Sequence, residues 1–449
     1  MILTNARILT FDNANRVLDS GSVEVLADGA IGSVRDGRAL DGEAVDLQGR
    51  LLMPALINCH THLYSTLARG MRLPGPPLPH GRGSDWELAT EPRPLGSGPP
   101  PADFPAILKK LWWRLDRALT EEDVYYSALV GLMDSARCGV GTVIDHHASP
   151  NACAGSLDSV ELAFHEVGLR GATCYETSDR NGRRAAREGI RENVRFLERV
   201  RPGARVGGMF GLHAAFTLGD RTLAECVEAN RSLGAGFHVH VAEGTCDRGA
   251  VRRLSQAGVL DEKSLAAHCI HITGAERTLL ARRRVNVVHN PQSNCNNAVG
   301  IADLPALSRL GTTIGIGSDG FSPRMWDEFK VATELQNVRA RDPRVGGAEA
   351  YRALFSGNRE IVKQIWGTRI GSIAPGARAD LLVVDYLPPT PIDSSNLFGH
   401  LLFGVSNAPV HSLMVNGRWV LRDGHCVNLD EREIAEKAAV CAKALWERF

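Results

Sequence analysis

Eight times between about residue 54 and residue 320 a short apolar run ends in a polar residue of the kind that does chemistry. The runs read INCHTH, GTVIDHH, GATCYET, VGGMFGLHAAF, GFHVHVAE, LAAHCIHI, VNVVHNPQSN and TIGIGSDG. Charge-rich stretches with helical periodicity separate them. Near-continuous apolar strands alternating with amphipathic helices imply a parallel sheet covered on both faces. Eight such units suit an α/β chain folded as a (β/α)₈ barrel, whose reactive side chains stand at the C-terminal ends of the strands. An open doubly wound sheet would not be expected to end all eight strands in polar residues.

The two ends of the chain read differently. ILTNARILTF, GSVEVLADGAIGSV and AVDLQGRLLMP at one end, and ADLLVVDY and HSLMVNGRWVLRDG at the other, alternate in the manner of half-buried strands. Residues 1–53 and 370–449 are therefore expected to form one small β-sandwich, with a terminal helix, flanking a barrel over 54–369. Residues 73–100 are rich in Pro and Gly, carry no periodicity and read as an insertion on the surface. The helix that follows, FPAILKKLWWRLDRALTEEDV, has Leu and Trp at helical spacing and reads as mainly core-facing.

The 51 basic and 51 acidic residues cancel, which argues against nucleic acid or an anionic membrane as partner. No apolar stretch reaches the roughly 20 residues of a membrane span. The opening residues carry no export signal, and the ten cysteines lack C-x-x-C spacing. Buried, reduced thiols are expected, Cys59, Cys174, Cys269 and Cys295 among them, in a cytoplasmic protein.

His60 and His62 end the first run, and alternate residues of a strand share a face, so both rings converge on one point. Neutral imidazole is the commonest protein ligand for zinc-like ions. The fifth run adds His238 and His240. The later residue lies nearer the mouth, which makes His240 the preferred ligand and His238 its alternative. Glu243, just beyond, is positioned to pass a proton from water to a leaving group. His268 is preferred to His271 as the mouth-facing histidine of the sixth run. Asp319, ending the last run, is costly to bury unless it is paired or bound to metal. Three histidines and one carboxylate leave a coordination position for water, the geometry of a catalytic site. His147, His213 and Asn290 are candidate substrate contacts, Glu176 is open between structure and function, and His165, His400, His411 and His425 read as ordinary structure.

Taken together, MPALINCHTH, HVAE, AHCIH, HNPQSN and GSDG resemble the amidohydrolase superfamily, in its deaminase and chlorohydrolase cluster. LWWRLDRALT, VIDHHASP, TSDRN and SNCNNAVG are similar to its SsnA group of aminohydrolases. That resemblance implies His60, His62, His240 and Asp319 as ligands of one divalent metal ion, zinc before iron or manganese, with Glu243 as proton shuttle and His268 as electrostatic partner. The fourth run offers His213 where two-metal members carry a modified lysine, which implies a single ion. Also implied are a small-molecule substrate and a homo-oligomer, a dimer or larger. The expected reaction is deamination of a purine, pyrimidine or similar heterocycle. The alternatives are removal of a halide or alkylamine from a triazine-like ring, opening of an imidazolone, or, outside enzymes, an inactive barrel serving as an assembly module.

Overall fold

The computed structural model describes residues 1–38, 44–71, 101, 103–201 and 203–449. The expected insertion at 73–100 lies outside the described residues.

Strands from both ends of the chain meet in one sheet. β1 (Ile2–Leu9), β2 (Val17–Val25), β3 (Ile31–Asp36), β4 (Ala44–Asp46) and β5 (Leu51–Pro54) come from the first end. Nine central strands separate them from β15 (Leu381–Val384), β16 (Val410–Val415), β17 (Arg418–Arg422) and β18 (His425–Cys426) of the other end. The order is β18-β17-β16-β15-β5-β1-β2-β3, with β4 beside β1. The seam between the two ends is the antiparallel β15–β5 pair, Leu381 opposite Pro54 through Val384 opposite Leu51. Alternation places Leu3, Ile8, Val23, Leu52, Leu381, Val383 and Met414 in this sheet's own core.

The central staves are β6 (Leu56–Thr61), β7 (Val140–Asp145), β8 (Arg170–Thr173), β9 (Val206–Gly208), β10 (Phe210–Ala214), β11 (Phe237–Val241), β12 (Leu265–His268), β13 (Asn286–His289) and β14 (Ile314–Ile316). All pair in parallel, in two runs, β6 to β9 and β10 to β14. β9 and β10 are two halves of the fourth stave, interrupted at Met209, so nine strands make eight staves. The chain after β8 crosses to β10 through Thr177 N–H on Gly211 O (3.2 Å) and His213 N–H on Thr177 O (3.0 Å). At the opposite seam Ser318 and Asp319 N–H groups donate to His60 O, each at 2.9 Å. Gly317 permits that second approach, since a Cβ there would lie 2.7 Å from His60 O and 2.6 Å from Asn290 Oδ1. The staves are buried nearly throughout, as strands covered on both faces must be.

A buried ion pair joins the barrel to the end sheet. Arg170 on β8 grips Asp380 with Nε–Oδ2 at 2.8 Å and NH2–Oδ1 at 3.2 Å, and Asn416 N–H donates to the same carboxylate at 2.7 Å. All ten cysteines are free thiols; Cys59, Cys174 and Cys269 are buried as expected, but Cys295 is exposed. Among the described residues no helix is long and apolar enough to cross a membrane.

Candidate active site

The backbone itself marks the strand ends. Ala242, His268, Cys269 and Asp319 adopt φ of 48°, 73°, 52° and 56°, left-handed values that cost a non-glycine residue about 1–3 kcal/mol each. All four follow or end a central strand, where the chain turns out of the ladder.

His62 and His240 are oriented from behind. Each Nδ1–H donates to a main-chain carbonyl, His62 to His146 O at 2.7 Å and His240 to His213 O at 2.8 Å. A carbonyl can only accept, so in the neutral rings both Nε2 atoms carry bare lone pairs. These two lone pairs meet at 3.1 Å, and Asp319 Oδ1 lies 3.1 Å from His62 Nε2. His60 Nε2, fully buried and without a hydrogen-bond partner, stands 3.9 Å from the same oxygen. Four electron-rich atoms at such separations repel one another unless a positive charge lies among them. A proton can supply that charge: burial disfavours a charged His62, but the Asp319 carboxylate outweighs it and raises the ring to about 9. A divalent ion fits as well, because ligand bonds of about 2.0–2.1 Å in a tetrahedron put the donors roughly 3.3 Å apart. Burial and the neighbouring rings keep His60 and His240 well below the ordinary histidine range, in the neutral form that binds metal. His238 packs behind this set, its Nε2 2.8 Å from His60 Nδ1, so it orients His60 while His240 faces the mouth.

Glu243 and His268 flank Asp319. His268 Nδ1–H donates to Asn294 Oδ1 at 2.8 Å, and its Nε2 lies 3.5 Å from Glu243 Oε2 and 3.6 Å from Asp319 Oδ2. Burial raises the Glu243 carboxyl to about 7, although His268 pulls it down. Asn297 donates to Glu243 Oε1 at 3.2 Å, and Ser293 Oγ–H to Asp319 Oδ2 at 2.6 Å. Ser293, Asn294 and Asn297 belong to the short polar helix after β13 and its C-terminal cap.

A cavity of about 580 Å³, counted with its opening, leads to this group. His62, His213, His240, Glu243 and Asp319 line it. His60 and His268 lie fully buried just beneath. His147 and Asn290 are not brought to its wall. His147 turns Nε2 to Ser149 Oγ at 2.8 Å, and Asn290 is fully buried under β14. His271 is a loop residue bonded to Val299 O at 2.7 Å.

The far wall corrects one expectation. The stretch from Phe104 is not one core-facing helix. It runs as an α-turn (Phe104–Ile107), a π-helical turn (Leu108–Trp112) and a short α-helix (Trp113–Ala118), and Phe104, Leu108, Trp112 and Trp113 cover the cavity. π-Turns of this kind recur at functional sites, because the extra residue rotates the next side chains out of helical register. Asp116, on the same segment, pairs with Arg180, whose NH1 lies 2.7 Å from Glu176 Oε1. Glu176 ends the third apolar run, and Asp116 and Arg180 lie in LWWRLDRALT and TSDRN, but no spacing in the sequence brings the three together.

The comparisons agree with this geometry. A 5-methylthioadenosine/S-adenosylhomocysteine deaminase from Pelotomaculum thermopropionicum is 28% identical, with 100% of this chain and 99% of that protein covered. A 5'-deoxyadenosine deaminase from Methanosarcina mazei is 27% identical, again over 100% and 99%. Among solved structures, an adenosine deaminase from Xanthomonas campestris with bound zinc superposes with a TM-score of 0.82 at 22% identity, covering 99% of this chain and 98% of that one. An atrazine chlorohydrolase from Arthrobacter aurescens with zinc gives 0.76 at 17%, covering 98% and 99%. At such identities the two structures speak for the fold, a TIM-barrel type. The family model described as "Amidohydrolase family" matches residues 51–420, and the chain belongs to that family.

Proposed function

We propose that the protein is a metal-dependent aminohydrolase that releases ammonia from a nitrogen heterocycle. His60, His62, His240 and Asp319 would hold one divalent ion, zinc before iron or manganese. The observation carrying this reading is the meeting at 3.1 Å of two bare imidazole nitrogens beside the Asp319 carboxylate. An ion at that point would supply Lewis acidity and bring the pKa of water toward neutrality.

The remaining work falls to the chain's own side chains. Glu243, raised to about 7 by burial, exchanges a proton near neutral pH at little cost. It takes one from water as oxygen attacks the electron-poor ring carbon, and delivers it to the departing amine. His268, between Glu243 and Asp319, balances the charge that shifts as the proton moves. Phe104, Trp112, Trp113 and Phe216 provide flat apolar surface for a planar ring and keep bulk water from it. The relatives named for deaminating adenosine derivatives favour a purine nucleoside as the heterocycle.

Ammonia release by zinc-loaded protein, screened over purines, purine nucleosides, pyrimidines and pterins, tests the reading. Glu243→Gln is expected to keep its zinc and lose about 10²–10⁴-fold in kcat. Full activity in that variant would falsify the shuttle role.

A further inference from the structure

Glu176 enters none of these steps, yet it lies against the reacting group. One of its oxygens is within 4.8 Å of ring nitrogens of His62, His146 and His240, whereas Glu243 clusters with His268 and Asp319. Arg180 holds it, with NH1 at 2.7 Å from Oε1, while His146 Nδ1 lies 3.3 Å from Oε2 without a hydrogen bond. A carboxylate offers roughly four lone-pair positions, so those contacts leave both oxygens partly free on a residue that lines the cavity.

Beside it stands a second acceptor. His213 Nδ1 lies 2.6 Å from Thr217 Oγ1, and that hydroxyl has Ala214 O within reach at 3.0 Å. A hydroxyl has one proton. Both bonds form together only if Thr217 donates to the carbonyl and His213 Nδ1–H donates to the hydroxyl, which leaves His213 Nε2 bare. Nε2 is 3.9 Å from Glu176 Oε1, beyond hydrogen-bond range. One patch of the wall thus carries two neighbouring acceptors that do not bond each other.

We propose that Glu176 and His213 select the substrate by accepting hydrogen bonds from N–H groups on its ring. The preferred substrate is then an aminated heterocycle with N–H donors beyond the amine that leaves, such as a 2-amino-substituted purine, in preference to one whose facing edge holds only bare ring nitrogens. This rests on the aminohydrolase reading above. A ring edge that brings no donor leaves the bare His213 Nε2 and the remaining lone pairs of Glu176 desolvated without a partner, the kind of mismatch by which buried polar sites reject analogues.

The test compares heterocycles in pairs that differ by one ring amino group, adenosine against 2,6-diaminopurine riboside first. Ammonia release, kcat and KM separately, and zinc content are measured for the zinc-loaded wild type and Glu176→Gln. The wild type is expected to favour the amino-bearing member at least tenfold in kcat/KM, mostly through KM. Glu176→Gln is expected to erase or invert that ratio with its zinc intact. Should that variant fail to fold, His213→Gln interrogates the same acceptor pair and is expected to lose the same preference. A ratio equal in wild type and variant, with ammonia still released, overturns the selection role alone and leaves the deaminase reading standing. No ammonia from any pair overturns both.

Discussion

The cavity has two walls built from different kinds of backbone. His62, His240, Glu243 and Asp319 stand at the ends of parallel strands, in a ladder hydrogen-bonded on both sides. Phe104, Leu108, Trp112 and Trp113 stand on a segment that changes helix type twice before Ala118. Side chains fasten that second wall. Asp116 pairs with Arg180, the Arg114 guanidinium lies 4.6 Å from the centre of the Phe449 ring, and Arg448 Nε–H donates to Ala118 O at 3.0 Å. Groups that must meet within tenths of an ångström sit on the ladder, while groups that exclude water and embrace a substrate sit on a cover held by a few polar contacts. The two walls should fail differently.

The sharpest contrast comes from removing a strand-end ligand. Asp319→Ala leaves the bare nitrogens of His62 and His240 facing each other without the carboxylate. Bound metal should fall below one-tenth equivalent, and kcat/KM should fall on the order of 10³-fold or more. Metal analysis of the purified variant checks the first, ammonia release the second. A variant that retains one equivalent of zinc and normal turnover would remove Asp319 from the ligand set.

How much of each wall was legible follows from the same difference. Strand ends announce themselves because periodicity locates the strand and the last polar residue locates the mouth; His60, His62, His240, Glu243, His268 and Asp319 were all readable that way. His238 and His240 share a face; the place of His240 nearer the mouth favours it in the sequence, and the 2.8 Å contact of His238 with His60 shows His238 to be the supporting ring. The cover was misread because Leu and Trp at helical spacing look the same whether they face a core or a cavity. A π-turn shifts that register without any sequence signal. His147 and Asn290 stand beside strand ends, yet both side chains are fully buried away from the cavity lining. Ser293 lies on a short helix and Asn297 just past its end, in a polar run that looks like ordinary loop chemistry.

Titration should separate the walls in the middle range of effect. The proton acceptor must be ionised, and the Glu243 carboxyl titrates at about 7. The rate constant kcat should therefore fall as pH drops through 7, roughly tenfold per unit below it, and this limb should vanish in Glu243→Gln. Burial raises Asp116 to about 6 against the pull of Arg180. Protonating it removes the charge that holds the cover, so KM should rise as pH falls through 6, one unit lower than the kcat limb. A single limb shared by both parameters would mean that the walls do not act separately.

The smallest expected effect is also the most specific to the cover. Asp116→Asn keeps the shape of the side chain and an acceptor oxygen but removes the charge opposite Arg180. The Arg180 guanidinium retains Glu176 at 2.7 Å and its place near the Trp113 ring, 5.6 Å from the centroid, so the chain should still fold. What changes is the hold on Trp113–Ala118. The cover should open more readily, and KM should rise about 5–10-fold, the equivalent of roughly 1–1.4 kcal/mol of lost substrate binding. Zinc content and kcat should stay within twofold, because no metal ligand touches Asp116. The acid-side rise of KM near pH 6 should disappear as well, since an amide does not titrate there. If Asp116→Asn instead lowered kcat with KM unchanged, the segment would be setting the geometry of the reacting groups, and the division between a chemical wall and a covering wall would fail.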